Sequence, residues 1–201
     1  MGYRQGTSRD QMSFSSLDDM VAPQSMARVI DRFVEVTDLS LLGFTRTQAA
    51  DTGRPGMAAA PLVKLYLYGY ENAIRSSRNL AREATRNIEA MWLLESLTPD
   101  YKTIAEFRRI NVLPLRELFK SFTKLCRHWN LADGNMIAGD GSKFKASNNK
   151  KNNFSQKKLT NRLQRLDEKI TAYLKQMDES DESDQADESD SANTPNAPAT
   201  L

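Results

Sequence analysis

The sequence predicts a mainly α-helical protein: an N-terminal bundle of about five helices, a strand or hairpin, a long heptad-patterned helix and a disordered acidic tail. Three observations carry that expectation. Apolar residues recur at helical spacing through roughly the first 130 positions. Turn residues then bracket a short stretch at Asn135–Ala146, after which apolar residues return with a 3.5-residue period. Finally, acidic residues crowd positions 178–201, which hold no Lys or Arg.

Residues 1–22 mix polar and small side chains without periodicity and read as a flexible arm. From there Met26, Val29, Ile30, Phe33 and Val34 follow the i, i+3, i+4, i+7, i+8 rhythm of one helix face. Asp51-Thr-Gly-Arg-Pro-Gly56 is turn chemistry, and Pro61 suits the first residue of the next helix, where a missing N–H breaks no bond. That helix, Leu62 to about Asn72, is apolar nearly all round and belongs at the centre of the bundle. A third helix starts near Ser76–Ser77 and turns Leu80, Ala84, Ile88, Met91 and Leu94 inward. Thr98-Pro99-Asp100 stops it. Thr103 and Glu106 make a capping box that opens a short helix through Ile110. After Pro114, Leu115, Leu118, Phe119, Phe122, Leu125, Cys126 and Trp129 give the strongest amphipathic pattern, and Trp92 and Trp129 read as core anchors. Beyond the Asn135–Ala146 stretch, Leu159, Leu163, Leu166, Ile170, Tyr173/Leu174 and Met177 form a seam suited to a helical hairpin or a short coiled coil.

Composition narrows the function classes. Hydrophobic residues are 39% of the 201, below the roughly 45–50% of ordinary globular chains. No window holds the ~18 apolar residues of a membrane span, and Met1–Ser15 lacks the apolar core of a signal peptide. One cysteine, Cys126, and one histidine, His128, exclude an internal disulfide and a Cys/His zinc cage. The expected setting is cytoplasmic. The net charge of +2 conceals a segregation: eight acidic residues fall at 178–190, so residues 1–177 carry +10. A body this basic favours a nucleic-acid partner, whereas an acidic tail is expected to repel itself and stay disordered.

Two features carry chemistry. Asp140, between Gly139 and Gly141 and followed by Ser142-Lys143, is placed either to hold a divalent metal against a phosphate or to form an Asp-Gly hairpin turn. The second is the basic stripes: Arg78, Arg82 and Arg86 at i, i+4, i+8, and Arg116, Lys120 and Lys124 on the polar face after Pro114. Arg75, Lys102, Arg108, Arg109, Lys143 and Lys145 complete the set read as DNA-binding. Like charges four apart on a helix repel, and a DNA backbone relieves that repulsion. The competing reading is a solvated face neutralised by Glu83, Glu89 or Glu117. Eight basic residues against Asp140 alone across 139–165 favour nucleic acid.

Several motifs occur in a telling order: Arg54-Pro55, Leu65-Tyr-Leu-Tyr-Gly-Tyr70, Ser76-Ser-Arg78-Asn-Leu80, Asn87, Pro99-Asp-Tyr-Lys-Thr-Ile104, Phe107-Arg108 and Asp140-Gly-Ser-Lys143. Over about residues 20–175 the chain resembles the N-terminal portion of bacterial insertion-sequence DDE transposases with an InsH-type N-terminal domain. The resemblance implies a helical domain engaging the double-stranded DNA of the element's ends, then a ribonuclease H-like catalytic domain whose first strand carries Asp140 as a magnesium ligand. It also implies a bacterial, nucleoid-associated setting. The implied organisation is an arm (1–22), a helical DNA-binding domain (23–131), the first strand of a truncated catalytic domain (132–154), a basic heptad helix of an insertion (155–177) and the acidic tail (178–201).

One departure limits the activity expected. The family's second Asp and its Glu have no counterpart, since Asp167 and Glu168 are the only acidic residues between Asp140 and the tail. One carboxylate cannot hold two metal ions, so no strand transfer is expected of this chain alone. The expectation is a truncated transposase that retains DNA binding, with magnesium-dependent cleavage confined to its full-length parent. The alternative is a non-catalytic module whose seam pairs with itself or with full-length transposase and inhibits it. Neither reading involves a membrane or a small-molecule cofactor.

Overall fold

The computed structural model describes residues 10, 12, 14–48, 56–129, 131 and 156–192, with side chains of the last helix described over 163–184. Eight helices occupy these residues: α1 (Leu17–Met20), α2 (Met26–Val36), α3 (Ala59–Glu71), α4 (Ser77–Arg86), α5 (Ile88–Leu93), α6 (Tyr101–Ile110), α7 (Val112–His128) and α8 (Gln156–Ala192). The described residues contain no strand, and the strand or hairpin expected at 132–154 lies outside them. Among them no helix is long and apolar enough to cross a membrane.

The centre is α3, as its all-round apolar character predicts. Leu62, Val63, Leu65, Tyr66, Leu67 and Tyr68 are all buried, with α2, α4 and α5 packed around them. Burying such side chains stabilises a fold by roughly 1.5–3 kcal/mol each. Even Lys64 lies inside, its Nζ donating to Asp31 of α2. Pro61 sits third in α3 and Pro114 third in α7, rather than at the start. Both remain within the first turn, where backbone N–H groups have no partner inside the helix.

The predicted third helix is two helices. Asn87 is extended (φ −99°, ψ 124°), and its side chain accepts from the Glu89 and Ala90 amides, so it ends α4 and caps α5. An Asn that bonds forward to the backbone competes with helix continuation. The break re-aims the next turn: Ala90, Leu93 and Leu94 are buried, while Ile88 is exposed. Similarly, α6 starts at Tyr101 with Asp100 as its cap, rather than at a Thr103/Glu106 box, because the Asp100 carboxylate accepts from the Thr103 amide at 2.7 Å. The arm is not wholly loose. Ser16 and Asp19 close a capping box on α1, and Asp18 is held by Arg28 and by the Trp92 indole N–H. Trp129, expected in the core, is 58% exposed at the end of α7.

The largest difference concerns the acidic tail. Instead of disorder from 178, α8 runs on to Ala192. Leu166, Ile170, Tyr173, Leu174 and Met177 are buried against the bundle, and Tyr173 forms an aromatic cluster with Tyr70 of α3 and Phe119 of α7. The Tyr173 hydroxyl donates to the Ile74 carbonyl at 2.8 Å. Gly69 makes this approach possible: a Cβ there would lie 2.6 Å from a Leu80 methyl and 3.2 Å from the Tyr173 hydroxyl. The self-repulsion that predicts a loose tail is offset because its first aspartates meet cations of the bundle.

Candidate nucleic-acid interface

The basic residues of α4, α6 and α7 are laid out by helix geometry, but α8 lies across several of them. At the start of α4, Ser76 makes no side-chain capping bond, so the first amides need another acceptor. Asp181 of α8 supplies it. The Ser77 N–H donates to one carboxylate oxygen at 2.9 Å and the Ser77 hydroxyl to the other at 2.6 Å. Arg108, in the last turn of α6, completes the niche. Its Nη2 lies 2.9 Å from Asp181 and 2.7 Å from Asp178, its Nε donates to Asp178 at 2.9 Å, and its Nη1 donates to the Ser77 hydroxyl at 3.1 Å. The Arg108 and Asp181 side chains are only 3% and 7% exposed, so both charges are satisfied inside protein.

One turn further along α8, Asp184 takes Arg78. The Arg78 Nε lies 3.2 Å from its carboxylate, and the guanidinium also sits 4.5 Å above the Tyr101 ring. About three turns before Asp178, Asp167 binds two cations of α7. Arg116 Nη2 donates to both its oxygens at 2.9 Å, and Lys120 Nζ approaches at 2.8 Å. The hydrogen bonds from Lys120 and then Arg116 hold the Asp167 carboxyl below its ordinary range. These pairs divide the sequence-derived set. Arg78 and Arg108 meet one segment of α8, while Arg116 and Lys120 meet another about 16 Å away at 1.5 Å per residue.

The other candidates face solvent. Arg75, Arg82, Arg86, Lys102, Arg109 and Lys124 are exposed, with Arg109 paired to Glu106 at 2.6 Å. Arg75, Asn79 and Arg82 line an open cleft of about 420 Å³ whose far side is Ser180 of α8. Asp140, Lys143 and Lys145 lie outside the described residues. Among those described, no group of three or more His, Cys, Asp or Glu side chains converges as a metal site. Burial pushes the Cys126 thiol up to about 11, which keeps it protonated near neutrality.

Sequence reasoning missed Ser77, Asp178, Asp181 and Asp184 as partners of the basic face. A signal was present. The seam spacing Ile170, Leu174, Met177 continues without a break to positions 181 and 184, with aspartates in place of apolar residues.

Residues 15–109, from α1 through most of α6, match a family model described as Transposase domain (DUF772). The match bears out the resemblance to the N-terminal portion of an insertion-sequence transposase. It includes Arg75, Arg78, Arg82, Arg86, Lys102, Arg108 and Arg109, whereas α7 and α8 lie beyond it. Neither the curated proteins nor the solved structures include a match to the chain.

Proposed function

We propose, on the premise that residues 15–109 form a transposase domain, that this chain binds the double-stranded DNA of an element's ends through the basic faces of α4, α6 and α7. The observation that carries the reading is the coincidence of the matched span with the α4 stripe, whose Arg82 and Arg86 remain exposed on successive turns. Exposed arginines at that spacing suit phosphates, which position a protein on duplex DNA without reading its sequence. Cleavage and strand transfer belong to a DDE parent with an InsH-type N-terminal domain, in which Asp140 supplies one carboxylate. Magnesium in such a parent takes carboxylates, phosphate oxygens and water. The described residues offer no converging carboxylate set, so no chemical step is assigned to them.

The self-pairing alternative relies on the Leu159–Met177 seam. Leu166, Ile170, Leu174 and Met177 are spent on the bundle within one chain, which favours DNA binding over self-pairing. A band-shift assay with random-sequence duplex at two salt concentrations tests the proposal. Binding should weaken steeply as salt rises, because each phosphate contact releases counterions. An absence of binding even at low salt sinks it.

A further inference from the structure

Among the described side chains of α8 the apolar contacts stop at Met177, and residues 178–184 bring only polar side chains to the bundle. Asp178, Asp181 and Asp184 engage Arg108, Ser77 and Arg78, while Glu179 and Glu182 face solvent. The groups that hold Asp181 are a helix-start amide, a hydroxyl and a guanidinium, a set that equally suits a phosphate. We propose that residues 178–184 form an acidic strap that occupies Arg108, Arg78 and the start of α4, and that duplex DNA displaces it while Leu166–Met177 stay docked. The inference rests on the DNA-binding reading above and adds its regulation.

The division at Met177 is physical. Lifting α8 as a whole would expose Ile170, Tyr173, Leu174 and Met177, all buried in the core. Lifting only the strap exposes carboxylates, which water solvates well, and exchanges one set of charge-assisted bonds at Arg108 for another. With the strap in place, its Ser180 closes one side of the open cleft lined by Arg75, Arg82 and Glu83. Glu182 faces solvent and Glu179 pairs with Lys175 at 3.3 Å. DNA therefore competes with the strap's carboxylates for Arg108 and Arg78 until the strap leaves.

The test compares the full chain with two variants of equal charge. Asp178→Asn/Asp181→Asn/Asp184→Asn weakens the strap, whereas Asp187→Asn/Glu188→Gln/Asp190→Asn removes the same charge further along. Anisotropy of a labelled random-sequence duplex should show the strap variant binding about tenfold tighter than the distal variant, a gap that narrows as salt rises. Equal affinity of the two variants overturns the strap and leaves the DNA reading intact. No binding by any of the three at low salt removes both. Hydrogen exchange on the unmodified chain is independent of how the variants fold. Saturating DNA should speed amide exchange at 178–192 and leave 166–177 protected, and unchanged exchange at 178–192 in the DNA complex overturns the proposal.

Discussion

Asp181 of α8 accepts both the backbone N–H and the hydroxyl of Ser77, so a residue 104 positions away caps α4 in place of the helix's own Ser76. The same carboxylate neutralises Arg108, which joins two consequences in one side chain. Losing Asp181 leaves a helix start uncapped and a guanidinium buried without its closest enclosed partner.

Asp181→Ala should therefore cost about 3 kcal/mol of stability, the range for breaking a buried charge pair. Asp178→Ala removes a half-exposed partner of the same arginine and should cost about 1 kcal/mol or less. Urea unfolding of the two variants checks the contrast. Equal losses would show that burial does not distinguish the two aspartates.

Gly69→Ala tests the crossing of α3, α4 and α8. The added methyl meets Leu80 at 2.6 Å in a closed core, and overpacking of this kind costs about 1–3 kcal/mol. Better helix propensity returns at most about 1 kcal/mol. A lowered melting temperature is expected, and an unchanged or raised one would mean that Leu80 moves aside freely.

Cys126 should resist thiol reagents in the folded protein. It is the chain's one thiol, it is buried, and its raised value of about 11 leaves about one molecule in a thousand as thiolate at pH 8. Labelling should be slow in buffer and fast in urea. Fast labelling in buffer would show that α7 opens readily.

Asp167 should respond to acid and to the loss of one neighbour. Because its folded value lies below the ordinary 3.8, its contribution is present above that value and fades as pH falls through the folded one. Lys120→Gln removes the largest cause of the shift, so the carboxyl midpoint should rise towards 3.8. The carboxyl carbon shift in an NMR titration measures it directly.

The sequence reveals those features that depend on local pattern. The apolar circumference of α3 announced a central helix, and it is one. Asn87 was harder, because Leu80, Ala84 and Ile88 keep helical spacing across it while the break comes from one side chain bonding its own backbone. The continuation of α8 depended on partners far away: Asp178, Asp181 and Asp184 look self-repelling until Arg108 and Arg78 are brought to them. Charge counting along a chain cannot register a counter-charge delivered by folding. For the same reason Arg108 was grouped with surface arginines although it is buried.

The pairing of Ser77 with Asp181 also bears on the order of assembly. Translation delivers α1 through α7 well before α8 leaves the ribosome, so the nascent bundle must wait with Tyr70, Phe119 and Arg108 uncovered. Loop closure over such a separation is slow compared with local helix formation. Exposed apolar surface of this kind favours aggregation in a partly made chain, and docking of α8 covers it.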